Sequence, residues 1–305
     1  MKIACIGGAH IDRHGVLAAP LIPGTSNPGT VTSDFGGVAR NVAENLSRLG
    51  RDVLMVSRVG DDESGRAVLS RLDSLGIGKS QIGVSARPTA SYTAILEPNG
   101  ELVLGLADMA IYDEITPAIL QPALPRLLEC ELWFVDANLP AETLGWLARA
   151  SSHLALAADA VSVVKSRRLT GILETVSPLF LNIAQAASIL GVDAFPDAET
   201  AARALSQRVL AGVVTAGAAG VAAWLNGEVR VMPARPALVR DVTGAGDALI
   251  AGTLFGITGG VPGFFRAVRL GLAAAAITVE SGSTTAAHLT PDLVAARDLL
   301  YASED

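Results

Sequence analysis

Asp241-Val242-Thr243-Gly244-Ala245-Gly246-Asp247 runs directly into an apolar helical pattern that begins at Ala248. Glycines let bare backbone approach a ligand, and a helix N-terminus offers unpaired N–H groups with a partial positive charge. The amides of Gly244, Ala245 and Gly246 are therefore placed to hold a transferring phosphoryl group. Asp247 would repel that group unless it has a task of its own. The task that fits is to accept the proton of an attacking hydroxyl. For a lone Asp at a helix start, an ordinary N-cap is the alternative.

Outward from this motif, short apolar runs alternate with helical patterns. Residues 2–6 and 53–59 read as strands, and residues 38–49 carry apolar positions at helical spacing. Residues 132–136, 154–158, 179–182 and 212–215 are further strand candidates, separated by segments that suit crossover helices. The rhythm predicts an α/β fold with a mainly parallel sheet, whose ligands gather at the strands' carboxyl ends. Residues 16–33 and 89–107 break it, the second with two β-like runs around Pro98-Asn99-Gly100. They read as a small β lid inserted in a single domain of residues 1–305, because no linker, repeat or low-complexity tract divides the chain. The hairpin's exposed edge invites pairing with a second subunit, which predicts a homodimer through the lid.

Composition narrows the partners. Lys and Arg number 23 against 30 Asp and Glu, a net charge of −7, and no dense basic run is present to neutralise a nucleic-acid backbone. Cys5 and Cys130 form no C-x-x-C pair or disulfide framework, which fits a reducing cytoplasm, and residues 1–9 lack the apolar core of an export signal. The uncharged stretches 209–225 and 248–265 are broken by glycine and proline, and read as buried strands and a core helix rather than membrane spans. Gly78-Lys79-Ser80 is not a P-loop, since Asp73 stands where the first glycine belongs. Leu249 occupies the third glycine position of a dinucleotide fingerprint, and His10 and His14 lack the Glu of a zinc motif.

The pattern Asp241–Asp247 together with Gly36-Gly37-Val38-Ala39-Arg40-Asn41 resembles the two signatures of the ribokinase-like (PfkB) sugar and nucleoside kinases, in the same order and over nearly the whole chain. The resemblance implies a three-layer α/β/α fold with Asp247 as catalytic base and Gly244, Ala245 and Gly246 as anion hole. It implies ATP as donor, held by Thr243 and by Thr215-Ala216-Gly217-Ala218-Ala219-Gly220, with residues 276–283, Ser281 among them, as the adenine-side wall. The family's N-x-x-E motif, near magnesium and the phosphates, reads Asn182-Ile183-Ala184-Gln185 here. An amide carries no charge to hold hydrated Mg²⁺, so the metal is expected mainly on the ATP phosphates. Potassium activation occurs in the family, with a site expected near Asp241 and Gly282.

For the acceptor, the resemblance implies that Asp12, Gly36, Gly37 and Asn41 bind a sugar, Asp12 lying beyond the strand of residues 3–6 where a carboxylate meets two hydroxyls. Residues 24–29, 37–46, 91–94, 107–109 and 136–140 are similar to the pseudouridine kinase branch, which implies a C-nucleoside. Ser26 and Asn27 would then pair with the polar edge of a uracil, Tyr92 or Thr93 would cover the ring, and Asn138 would join the site. A turn at Asn27-Pro28-Gly29 and a strand at residues 91–93 account for the same residues without a ligand.

Overall fold

The computed structural model describes residues 2–151 and 153–300. The chain starts in strand β1 (Lys2–Ile6), leaves it through Gly7 and Gly8, and forms β2 (His10–Leu17) and β3 (Gly29–Gly36). After helix α1 (Val38–Arg48) it returns as β4 (Asp52–Gly60), crosses through α2 (Glu63–Ser74) and adds β5 (Gly78–Ser85). A hairpin follows, β6 (Ser91–Leu96) and β7 (Leu102–Asp108). The second half alternates β8 (Leu132–Asp136), α3 (Ala141–Ala150), β9 (Ala155–Asp159), β10 (Leu179–Asn182), α4 (Ile183–Leu190), α5 (Ala198–Leu205) and β11 (Ala211–Thr215). It closes with β12 (Val221–Leu225), β13 (Glu228–Met232) and the helices α6 (Ala245–Thr258), α7 (Phe264–Ser281) and α8 (Pro291–Leu299).

The nine-stranded sheet has the order β13-β12-β11-β10-β9-β8-β1-β4-β5. Its strands are parallel from β11 to β5; β12 alone runs against them, and β13, antiparallel to β12, runs with them again. Trp133 and Phe134, consecutive in β8, bury on opposite faces: Trp133 joins Leu144, Leu181 and Trp224, and Phe134 joins Leu46, Phe180 and Leu254. Alternation along a strand thus feeds two cores, each roofed by helices, which makes the α/β/α layering expected from the sequence. No helix among the described residues is long and apolar enough to cross a membrane.

A second, four-stranded sheet of order β3-β2-β6-β7 forms the lid. It begins at His10 rather than residue 16, because the chain turns at Gly7 and pairs β2 with β3 along their full length. Asp12 therefore lies within a lid strand, not in the turn after β1. Gly78-Lys79-Ser80 opens β5 instead of leading into a helix, as a phosphate loop would.

Candidate active site

Adjacent parallel strands end in polar residues along one edge of the large sheet, those of β10 and β11 two residues further out than those of β8 and β9. Asp136 on β8 pairs in register with Asp159 on β9, and Asn182 on β10 with Thr215 on β11. Strand order thus lines up residues far apart in sequence along the crevice that parallel sheets use for ligands.

Asp136 organises the acceptor side. Fully buried, it accepts hydrogen bonds from the backbone N–H of Gly8 at 2.9 Å and Ala39 at 3.0 Å through one oxygen, and from that of Asn138 at 2.9 Å through the other. Helix α1 starts at Gly37 with no cap from its own side chains, so a carboxylate from β8 satisfies its first turn. Gly37 has φ 98°, and a Cβ there would strike the carbonyl of Gly8. Only glycine admits this approach. A Cβ at Gly36 would likewise run into the Asp12 carboxylate.

Around these turns the polar side chains interlock. His10 Nε2 lies 3.2 Å from Asp12 Oδ1, and its Nδ1 lies 2.9 Å from the Tyr112 hydroxyl, which also accepts from Ala9 N–H at 2.9 Å. Lys165 Nζ donates to Asn138 Oδ1 at 2.6 Å. Asn138 is buried, and its Nδ2 has no hydrogen-bond partner among the described residues. Burial lowers the pKa of Lys165 while Asp136 supports its charge. Lys165 sits on the short helix Val163–Ser166, outside every motif read from the sequence, and only the fold carries it to Asn138.

On the phosphate side, Gly244 caps α6 in the left-handed region at φ 77°. A Cβ on Gly244 would collide with the carbonyl of Thr284, from the loop after α7. Asp241 accepts from Thr243 N–H at 2.8 Å, and this bond holds its carboxyl below the usual range, with His14 of the lid adding to the effect. Asp247, in the first turn of α6, accepts from Asn41 Nδ2 at 2.6 Å. Burial pushes its pKa up to about 7, against the Asn41 bond and the Arg40 charge, with Asp136 and Asp12 adding to the rise. Asp159 is raised to about 8, first by burial and then by Asp247.

Two cavities meet here. One, of about 470 Å³, has apolar walls that include Val239, Val242, Leu272 and Val279; the other, of about 190 Å³, holds Asp159, Asn182, Gln185 and Asp247. Thr215, Gly246 and Leu249 line both. A bulky apolar group in the first thus has its polar extension directed past Gly246 toward Asp247. A larger groove of about 530 Å³, between Val163, Ile183 and Phe195, carries none of the residues expected to bind substrate or nucleotide, only the two middle positions of the Asn182–Gln185 motif.

Several expected site residues have other employment. Asn182 and Gln185 form a reciprocal capping box at α4, Gln185 N–H donating to Asn182 Oδ1 at 2.9 Å and Asn182 N–H to Gln185 Oε1 at 2.7 Å. Gln serves that purpose as well as Glu, so the box survives while the charge does not. No group of three or more His, Cys, Asp or Glu among the described residues could hold a metal ion. Asn27 closes the β2–β3 loop, accepting from Ile22 N–H at 2.8 Å and donating to the carbonyls of Ile22 at 2.9 Å and Thr25 at 3.1 Å. Its amide is thereby committed to backbone, and Ser26 beside it is exposed. Asp12 pairs with Tyr92 and Arg13 with Thr93, so strand alternation puts Thr93 on the lid face opposite Tyr92 and Asp12. The Ser281 hydroxyl closes the end of α7 by donating to Thr278 O at 2.8 Å. Gly220 is required by the backbone of residues 232–234, which a Cβ would hit, whereas a Cβ at Gly217 meets open space.

A mainly parallel three-layer sheet with a small β lid, and a glycine-capped helix presenting an aspartate between two cavities, define a phosphotransferase acting on an alcohol. The profile of the pfkB family carbohydrate kinases matches residues 1–291, and the chain belongs to that family. It is 28% identical over 292 residues to the uncharacterized sugar kinase YeiI of Escherichia coli, covering 94% of this chain and 80% of that one. With the pseudouridine kinase of Escherichia coli it shares 29% over 280 residues, 88% of this chain and 87% of that one. A solved carbohydrate kinase from Agrobacterium tumefaciens superposes with a TM-score of 0.86 at 38% identity, covering 98% of this chain and 97% of that one. The protein is a kinase of a nucleoside or a sugar with a ribokinase-like fold, and its nucleotide is ATP.

Proposed function

We propose that the chain transfers the γ-phosphoryl group of ATP to the 5′-hydroxyl of pseudouridine, releasing ADP and pseudouridine 5′-phosphate. The Asn41–Asp247 hydrogen bond carries this reading, because it joins the acceptor motif to the phosphate motif at the smaller cavity, which shares Thr215, Gly246 and Leu249 with the larger one. Asp247 takes the proton of the attacking hydroxyl as its oxygen bonds to phosphorus and the β–γ bridge breaks. The amides of Gly244, Ala245 and Gly246 hold the transferring oxygens, and Asp12, Gly37 and Asn41 hold the sugar hydroxyls. Magnesium travels on the ATP phosphates, and the lid excludes water that would waste ATP.

The similarity to a pseudouridine kinase, the lid segment around Tyr92 and the segment after β8 that holds Asn138 support a C-nucleoside. The commitment of the Asn27 amide to its own loop favours a second reading, a free sugar or another nucleoside, because it removes one expected contact to a base. ADP release with pseudouridine, uridine, adenosine and ribose side by side, with Asp247→Asn as blank, decides between them. Preference for pseudouridine supports the first reading; preference for ribose replaces it with the second. Turnover with none would leave a nucleoside-binding protein.

The lid edges β3 and β7 expose Val31, Leu104 and Leu106, which supports pairing of two lids in a homodimer; a sedimentation mass of one chain would remove that expectation. Buried, unpaired Cys5 and Cys130 support a cytoplasmic setting.

A further inference from the structure

We propose, resting on the reading of Asp247 as the base of a kinase, that Arg40 is a positioning residue: its guanidinium orients the amide of Asn41 toward Asp247 and ties that amide to the root of the lid. Arg40 stands in the first turn of α1 and is 2% exposed. Both circumstances act against it, since a helix N-terminus repels a cation and burial penalises its charge. Its contacts explain why it is there. Nη1 donates to Glu44 Oε2 at 2.6 Å; Nη2 donates to the Phe35 carbonyl at 2.5 Å and to Asn41 Oδ1; Nε reaches the Gly36 carbonyl at 3.4 Å.

A guanidinium has donors and no acceptor, so it selects one of the two orientations of the neighbouring amide. With its oxygen turned to Arg40, Asn41 must turn its nitrogen to Asp247, where the 2.6 Å bond is found. The flipped amide would set NH₂ against the guanidinium and oxygen against the carboxylate. Phe35 and Gly36 end β3, so lid strand, acceptor amide and base form one chain of hydrogen bonds. Glu44 does not depend on Arg40 alone: Arg71 at 2.5 Å, Arg48 at 2.8 Å and the Thr285 hydroxyl at 2.9 Å also bind it. Removing Arg40 therefore leaves this buried carboxylate compensated.

The charged groups facing Asp247 set the expected pH response. Arg40 favours its ionised form, whereas Asp136 and Asp12 oppose it and Asp159 is coupled to it. The test compares Arg40→Met, Arg40→Lys and Arg71→Met with the wild-type enzyme, once Asp247→Asn has been shown to lower its turnover. Acceptor KM, ATP KM and the acid limb of kcat/KM are measured for each.

Arg40→Met is expected to raise acceptor KM about tenfold or more, with ATP KM within about twofold, and to move the acid limb to higher pH. Arg71→Met, which also removes a partner of Glu44, should leave acceptor KM and the limb unchanged. Arg40→Lys should keep the limb, because the charge remains, yet not restore acceptor KM, because one ammonium cannot span Phe35, Asn41 and Glu44 together. Equal effects of Arg40→Met and Arg71→Met, an unmoved acid limb, or rescue of acceptor KM by Lys would overturn the assignment; the Lys variant serves if the Met variant does not fold. Absence of wild-type turnover would instead remove the kinase reading, and this assignment with it.

Discussion

The side chain of Asn41 donates to Oδ2 of Asp247 across 2.6 Å, joining residues 206 apart in the sequence. The bond favours the ionised carboxylate, burial disfavours it, and the balance sits at about 7. A base with its pKa near neutrality is unprotonated often enough to act and basic enough to take a proton. The kcat/KM profile should therefore rise with pH to a plateau above about 7. Asn41→Ala removes a bond to the charged form and should move that limb upward. Asp247→Asn should lower kcat by about 10² to 10⁴ while thermal unfolding shows a folded protein.

Gly244→Ala should harm both fold and rate. A side chain at φ 77° is strained, and its Cβ would meet the Thr284 carbonyl, so the anion loop must move. Loss of one well-aimed donor typically costs about 10² to 10³ in kcat, and the left-handed strain about 1–2 kcal/mol. Steady-state kinetics and denaturant unfolding on the same preparation read the two effects separately.

Asp159 makes a prediction about stability. Its folded pKa of about 8 lies above the ordinary 3.8, so the folded chain holds a proton that the unfolded chain has released. Folded protein then binds more protons across this window, and stability falls as pH rises from near 4 toward 8. Asp159→Asn keeps an oxygen for Val161 N–H, 2.7 Å away in the native bond, and removes the titration. Its melting temperature should exceed that of the wild type by a margin that grows with pH and vanishes near pH 4. A constant margin would show that Asp159 titrates near its ordinary value.

Gln185→Glu restores an acid to the cavity that holds Asp247 and Asp159. Glu can make the same capping box, so the melting temperature should hold. The added charge should lower the Mg²⁺ concentration for half-maximal activity several-fold and raise the acid limb, since a new anion opposes ionisation of Asp247. An unchanged Mg²⁺ titration would place the metal wholly on the nucleotide.

Much of the fold was legible because its signals are local. The apolar run of β8, the helical spacing of α1 and the turn at Gly100 each follow from a few consecutive side chains, and each lies where the pattern put it. The phosphate motif was legible for a related reason: glycine, glycine and aspartate at a helix start are short-range chemistry. The lid was harder. Its hairpin β6–β7 was legible, but the lid's start at His10 was not, and β3 was not resolved as a strand, since it is largely exposed and only pairing with β2 makes it one.

The acceptor side shows where such reading stops. Asn27 and Thr93 carry suitable groups, yet loop closure commits one amide and strand alternation turns the other side chain to the opposite face. Lys165, outside every motif, reaches the Asn138 amide only through folding, and Arg40, next to Asn41 within the signature, has contacts that the motif does not announce.

By itself the sequence determined the α/β class and the order of the two signatures, and it singled out Asp247 as the base proposed here, because backbone freedom at glycine and the polarity of a helix end depend on nearest neighbours. Tertiary structure alone decided which amide faces that aspartate, how far its pKa climbs and which polar groups remain free for an acceptor. Those depend on burial and on hydrogen bonds between residues as distant as Asn41 and Asp247, and no local pattern encodes the partner of a side chain.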